Sequence, residues 1–204
     1  MRVRWILPAA ILCAIAGAAN AKTVVLDCGS WDQAAFISDD APLLGWAPLI
    51  PFQVDDRHSL LIRYSLAEIP TGMRITNAEW VMPFEDAGEG KFYVWRVLQD
   101  WGPGVCNDFR MVRPEELPWT LPGCRGLGTD RMNRPSAACR PGDLVQPAAD
   151  GGITLNVTKD VAIWHSSSAP NFGWIVTCDS WARFSSPFSH GPSIWKLRVT
   201  YEPE

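Results

Sequence analysis

The stretch SLLIRYSLAEIPTGMRITNAEWVMPF, Ser59 to Phe84, decides the fold. In its first half every second residue is apolar or aromatic, which is the period of a half-buried β-strand: Leu60, Ile62, Tyr64 and Leu66. The segment Ile69-Pro70-Thr71-Gly72 then predicts a turn, because Pro fixes φ and Gly accepts positive φ. The second half resumes the alternation with Ala78, Trp80, Met82 and Phe84. Two such strands are not stable alone in water, so the sequence predicts a hairpin covered by more sheet.

The first 21 residues have the organisation of a signal peptide. A basic head precedes an apolar run from Trp5 to Ala18, and Ala19-Asn20-Ala21 is an A-x-A cleavage site. A membrane anchor would need about 20 apolar residues, more than this run provides. The residues before Cys13 are not the small ones expected before a lipidated cysteine. We therefore expect cleavage after Ala21 and a mature chain, residues 22–204, that is secreted or periplasmic.

The charge of the chain argues against nucleic acid or anionic lipid as a partner. The sequence has 18 Lys and Arg against 22 Asp and Glu, a net charge of −4. Loss of residues 1–21 removes two arginines, and 16 minus 22 leaves −6. Those partners require clustered basic side chains. The mature length, 204 minus 21 or 183 residues, suits a single domain with its own core.

The composition and the periodicity both indicate an all-β protein. The chain has 17 Pro, 16 Gly and 11 Trp, and no long amphipathic helix is apparent. Further strands are predicted over 22–27, 34–38, 91–98, 153–157, 174–178 and 194–201. Thr158 is predicted to cap a short helix from Lys159 to His165, with Val161 and Trp164 facing the sheet. We expect a two-sheet antiparallel, jelly-roll-like β-sandwich with one short helix and a long Pro/Gly-rich loop.

The long loop is predicted for residues 102–152, with one helical turn over Arg113 to Leu117. Five cysteines follow the cleavage site, and in an oxidising compartment we expect them to pair. One disulfide is expected to staple the loop, and a weaker prediction pairs Cys28 with Cys178; the loop candidates are Cys106, Cys124 and Cys139. The odd number leaves one thiol free or bonded to another chain. A zinc site is disfavoured, because there is no CxxC and no nearby His.

Several segments, in order along the chain, resemble the DNRLRE-type domain family of secreted β-sandwich proteins. The segments that carry the resemblance are Leu60–Leu66 with Ile69, Pro70 and Gly72, then Ile75, Asn77, Ala78 and Trp80, Val97 and Trp101, Trp119–Gly123 with Gly126, Gly128 and Thr129–Arg131, Leu155–Thr158 with Val161 and Trp164, Asn171–Gly173, Phe184–Ser186 and Pro192–Tyr201. The resemblance spans about Asp32 to Tyr201. It implies a carbohydrate-binding module for acidic polysaccharides. Tyr64-Ser65 stands where the family usually has Phe-Asp.

The sequence has no recognisable catalytic motif. His58, His165 and His190 lie far apart, and no hydrolase, metalloprotease, P-loop or dinucleotide pattern is present. Glycoside hydrolysis needs two carboxyls about 5–10 Å apart across a cleft. We interpret the adjacent carboxylates as turn residues: 39–40, 55–56, 85–86 and 115–116. A lyase that uses His or Tyr with Arg stays open, because such residues meet only in the fold.

Tryptophan is the strongest indication of binding. Of the ten tryptophans that follow the cleavage site, Trp80, Trp164 and Trp195 fall in apolar phases and are predicted to be core residues. The ligand-binding candidates lie in loop-like contexts: Trp101, Trp119, Trp181, Asp130, Arg131 and Arg134. Flat rings stack on sugar faces, and charged groups orient a polar ligand. In the alternative interpretation, Trp119 closes the end of the sandwich and Asp130 forms a structural ion pair with Arg131.

The sequence therefore predicts non-catalytic binding of an extracellular or cell-wall polysaccharide. One alternative is a structural surface or adhesion domain without glycan binding, and the other is a polysaccharide lyase or hydrolase. No cofactor is expected. Asp27 and Asp32 are candidate Ca²⁺ ligands, although their spacing does not distinguish this role from turn chemistry.

Overall fold

The computed structural model describes residues 20–28, 32–46, 52–140, 152–186 and 195–204. The leader predicted for residues 1–21 lies almost wholly outside these ranges, as does the 141–151 part of the predicted loop. Among the described residues, no helix has the length and apolarity needed to cross a membrane.

The described chain forms fourteen strands and one helix. The elements are β1 (Lys22–Asp27), β2 (Ala34–Ser38), β3 (Gly45–Trp46), β4 (Phe52–Asp55), β5 (His58–Ile62), β6 (Met73–Ala87), β7 (Phe92–Arg96), β8 (Phe109–Met111), β9 (Leu117–Pro118), β10 (Ala137–Cys139), β11 (Gly152–Asn156), α1 (Thr158–His165), β12 (Trp174–Cys178), β13 (Trp181–Phe184) and β14 (Lys196–Pro203).

Two six-stranded antiparallel sheets form the main body of the described structure. The first has the order β1-β14-β6-β13-β4, with β11 also paired to β6. The second has the order β10-β7-β12-β5-β2-β3. A two-stranded sheet of β8 and β9 lies within the long loop. The prediction of a two-sheet antiparallel sandwich is confirmed.

Aromatic side chains fill the space between the sheets. Trp80 from β6 and Trp174 from β12 stack across the core with ring centroids 5.1 Å apart and an interplanar angle of 17°. The Trp80 indole N–H donates to the Tyr64 hydroxyl at 2.8 Å, so the buried polar groups of both rings have a partner. Trp164 and Trp195 belong to the same cluster, which confirms the three predicted core tryptophans.

The predicted hairpin is wrong, although both of its strands exist. β5 ends at Ile62 and pairs with β2 and β12 in the second sheet, whereas β6 pairs with β11, β13 and β14 in the first. Residues 63–72 cross from one sheet to the other. Both strands point their apolar residues at the same core from opposite sides. Alternation identifies the buried face of a strand but not the strand beside it.

The helix forms where the sequence predicted it, but its first turn is held differently. Thr158 is the first residue of α1 and does not cap it; the N-cap residue is Val157, and the Asn156 side chain accepts from the Thr158 N–H at 3.2 Å. The Thr158 hydroxyl instead accepts a hydrogen bond from the Ala78 N–H at 2.8 Å, which ties the helix to β6. Val161 and Trp164 are buried, as predicted. The helical turn predicted for Arg113 to Leu117 is absent, and the chain there bends into β9.

The predicted disulfides are absent, since the five described cysteines are all free thiols: Cys28, Cys106, Cys124, Cys139 and Cys178. Cys139 packs against the core between the sheets, whereas Cys124 packs on the other side of the second sheet, so these two cannot meet.

The buried thiols have raised pKa values. Burial, with help from nearby Asp32 and Asp27, raises the pKa of Cys28 to about 12. Burial also raises the pKa of Cys124 and of Cys178. These thiols stay protonated at neutral pH and react slowly.

One carboxylate organises the turn in which the chain passes from β4 in the first sheet to β5 in the second. Asp55 Oδ1 accepts from the backbone N–H groups of Arg57 and His58, both at 2.9 Å, and lies 2.7 Å from His58 Nδ1. Its Oδ2 accepts from Gln53 at 2.9 Å. Burial alone would raise the pKa of Asp55, but these hydrogen bonds outweigh it and hold the pKa below its ordinary value.

We predict that Asp55→Ala lowers the free energy of unfolding by about 2 kcal/mol at pH 7, since bonds to a charged acceptor are lost. Because the folded-state pKa is depressed, this contribution is complete above the unfolded pKa of about 4 and is lost as pH falls through the folded pKa. Urea unfolding between pH 7 and pH 3 should therefore show the gap between variant and wild type closing on acidification. Asp56→Ala, an exposed neighbour with no side-chain hydrogen bond in the described structure, is the control. A difference in free energy of unfolding that is the same at every pH would contradict this role of the Asp55 carboxylate.

Candidate functional site

The long loop folds back over the outer face of the second sheet and builds a second hydrophobic core there. The strands contribute their outward residues, and the loop contributes its apolar residues from above; the members are Ala35, Ile37, Leu61, Val97, Trp101, Val105, Trp119, Cys124 and Ile175. The middle of the second sheet is therefore buried on both faces. The described part of the loop, residues 102–140, is therefore a third layer of the domain.

Two of the predicted ligand-binding tryptophans lie inside this second core. Trp119 is 4% exposed, and its indole N–H donates to the Cys106 carbonyl at 3.1 Å. Trp101 is 2% exposed and donates to the Phe172 carbonyl at 2.8 Å. A ring so enclosed offers no face on which a sugar can stack. These positions agree with the alternative interpretation, in which Trp119 is a packing residue.

Asp130 is the polar centre of the loop. Its carboxylate is fully buried and accepts from three backbone N–H groups at 2.8–2.9 Å, those of Thr120, Leu121 and Gly126. It also accepts from the Gln99 side chain at 2.8 Å. The four bonds gather parts of the loop that are up to 31 residues apart in sequence around one charge. A carboxylate with this many donors stabilises the loop and has no capacity left for a ligand.

The other predicted residues are dispersed. The Arg131 guanidinium lies 4.4 Å from the Trp95 ring centroid on the outer side of the second sheet, and burial lowers its pKa. Arg134 is exposed, and the structure shows no hydrogen bond from it. Trp181 is half-buried in β13 of the first sheet, where it pairs with Asp55. The six residues therefore do not form one binding site.

A cleft of about 470 Å³ lies at the end of β5, where the chain leaves the second sheet. It is lined by Asp32, Gln33, Arg63, Tyr64, Ser65, Leu66, Ala67, Trp164 and Asn171. The lining combines amide, hydroxyl, carboxylate and guanidinium groups with apolar atoms, which include a small part of the otherwise buried Trp164 ring. Such a mixture of an apolar surface and several polar groups suits a hydroxyl-rich ligand.

The walls of the cleft are held by hydrogen bonds. The Arg63 side chain donates to the Trp101 carbonyl at 3.2 Å and to Asp100 at 3.3 Å. In the neighbouring turn, the Asn171 amide donates to the Tyr64 carbonyl at 2.9 Å and accepts from the Gly173 N–H at 3.1 Å. Gly173 has a φ of +74°, and a Cβ there would lie 2.2 Å from the Ile62 carbonyl oxygen. The turn can approach β5 this closely only with glycine at that position.

Sequence patterns do not reveal this cleft. In the alternation of Ser59 to Leu66, Arg63 falls out of phase with Leu60, Ile62 and Tyr64, and Asn171 lies outside every predicted strand. The one sequence signal of a polar site here is Arg63, the single charged residue in the segment Ser59 to Leu66. That signal does not reveal that residues 32–33 and 171 come to lie beside the arginine.

The described residues contain no group of three or more His, Cys, Asp and Glu that could hold a metal ion. Asp27 and Asp32, the candidate Ca²⁺ ligands, both lie close enough to Cys28 to raise the pKa of its thiol. The structure gives them no third acidic partner in this part of the chain.

Comparison with known proteins adds no relative. No model of a known protein family matches the chain, and no curated protein matches it significantly. A function for this chain therefore has to be inferred from the geometry of the cleft.

We predict that Asp130→Asn destabilises the protein by about 3 kcal/mol. The amide nitrogen of Asn would face backbone donors, and bonds to a charged acceptor would be lost. Chemical unfolding followed by tryptophan fluorescence should report this change, because Trp101 and Trp119 lie in the same core. Arg134→Ala, at an exposed position of the same loop, should change stability by no more than about 0.5 kcal/mol. Equal effects of the two substitutions would refute the structural role of Asp130.

Proposed function

We propose that this chain is an exported domain that binds an extracellular or cell-wall polysaccharide without cleaving it. The observation that carries the proposal is the cleft at the end of β5, with Asp32, Arg63 and Asn171 among its lining residues. Hydroxyl groups both donate and accept hydrogen bonds, and these side chains carry donor and acceptor groups. The rigid sandwich supports these groups, which lowers the entropic cost of ordering them on binding.

The resemblance to the DNRLRE-type family supports the same proposal and remains part of it. So does the signal-peptide pattern of residues 1–21, which is typical of exported proteins. The acidic balance of the mature chain disfavours nucleic acid and anionic lipid as partners. A covalent partner chain bonded through an unpaired cysteine has less support, because the cysteines are buried or half-buried.

The adhesion alternative is favoured by one specific observation, the burial of Trp101 and Trp119. In that case the tryptophans serve only to stabilise a stiff surface domain. The enzyme alternative has less support from the cleft. Its lining includes a single carboxylate, Asp32, and no histidine. The Tyr64 hydroxyl is bonded to Trp80 in the core, and burial raises its pKa well above the ordinary value, so it is poorly suited to act as a base.

The test is a glycan array with residues 22–204, followed by calorimetric titration of each positive glycan. Ala67 is exposed and lines the cleft, so Ala67→Trp should fill the site without disturbing the core. We predict that this substitution weakens binding at least about tenfold, a loss of about 1.4 kcal/mol.

The matched control is Ala138→Trp, an exposed alanine on β10 that does not line the cleft. It should bind like the wild type. Binding that survives Ala67→Trp would place the site elsewhere. The absence of binding to any glycan would favour the adhesion alternative, and the release of shortened products would favour an enzyme.

A further inference from the structure

Trp101 is buried, yet it lies directly beneath one wall of the cleft. The Arg63 guanidinium carbon is 4.6 Å from the Trp101 ring centroid. A guanidinium over an indole face at this distance is attracted by the ring quadrupole, and the attraction is stronger where water is excluded. The Trp101 carbonyl also accepts from Arg63 Nη1 at 3.2 Å. One residue therefore holds the arginine both by its ring and by its backbone.

The Trp101 ring is itself held in place by a hydrogen bond. Its indole N–H donates to the Phe172 carbonyl at 2.8 Å. Phe172 follows Asn171, whose side chain lines the cleft. This bond keeps the ring in the position in which Arg63 lies over it.

The Arg63 guanidinium still has N–H groups that can donate to a ligand. Its hydrogen bonds within the described structure, to Asp100 and to the Trp101 carbonyl, both use Nη1. The Nε and Nη2 groups have no protein acceptor among the described residues, and the side chain is 24% exposed. Two such N–H groups form a fork that matches a pair of neighbouring oxygen atoms.

We infer that Trp101 is a positioning residue, which orients Arg63 so that Nε and Nη2 bind two adjacent oxygen acceptors of a ligand in the cleft. This inference rests on the proposed glycan-binding function for the nature of the ligand, since vicinal sugar oxygens are such a pair. Trp101 then contributes to binding by orienting Arg63, without touching the sugar.

The orientation of Arg63 is tested without any ligand, by ¹H–¹⁵N NMR of the arginine Nε–H groups. Stacking on an indole should shift the Arg63 Nε–H signal away from those of the exposed arginines, and the signal is assigned by its loss in Arg63→Lys. The shift should persist in Trp101→Phe, which keeps an aromatic ring, and disappear in Trp101→Leu. An Arg63 signal at an ordinary position in the wild type would overturn the inference, even if Trp101→Leu does not fold.

The role in binding is tested by a double-mutant cycle on a glycan that the wild type binds. Arg63→Ala should weaken binding roughly tenfold. Trp101→Leu should weaken binding by a similar factor. Trp101→Leu combined with Arg63→Ala should bind no more weakly than Arg63→Ala alone, because Trp101 acts on the ligand through the arginine. Additive losses would overturn the inference. If no glycan binds, the proposed function fails, while the NMR signal still decides whether Trp101 holds the guanidinium.

Discussion

The middle of the second sheet is buried on both faces, and the rest of the molecule depends on this burial. Towards the first sheet, Trp174 stacks on Trp80 in the main core. On the other face, Leu61 and Ile175 pack under a layer that includes Trp101 and Trp119. Removal of apolar surface from water on both faces stabilises the central strands. The same layer contacts the cleft, because Trp101 lies beneath Arg63, one of the residues that line it.

The polar groups of the loop layer make this burial possible, because they give buried backbone N–H groups hydrogen-bond partners. A structure of short strands and turns leaves many backbone N–H groups without partners in a ladder. Asp130 satisfies three of them with one carboxylate, and Gln99 joins the loop to the same charge. The charge itself is compensated by these donors, so its burial is tolerated. Asp130 was a ligand-binding candidate from the sequence, but its carboxylate is used internally.

The sequence predicted the single strands well and their arrangement poorly. β1, β2 and β12 have the predicted bounds, because each is an apolar or alternating run between turn signals. The pairing of the Ser59 and Met73 segments was wrong because it depends on contacts between distant residues, which periodicity does not encode. Thr158 was predicted to cap a helix, a local role, but its hydroxyl bonds Ala78, 80 residues away. The cleft was missed for the same reason, since residues 33, 63 and 171 meet only in three dimensions.

We propose that a glycan binds at the end of β5 and not on the tryptophans of the loop. The decisive measurement is hydrogen–deuterium exchange with and without a bound glycan. Added protection is expected at the segments that line the cleft, residues 32–33, 63–67, 164 and 171. Protection centred on residues 119–134, with the end of β5 unchanged, would overturn this placement.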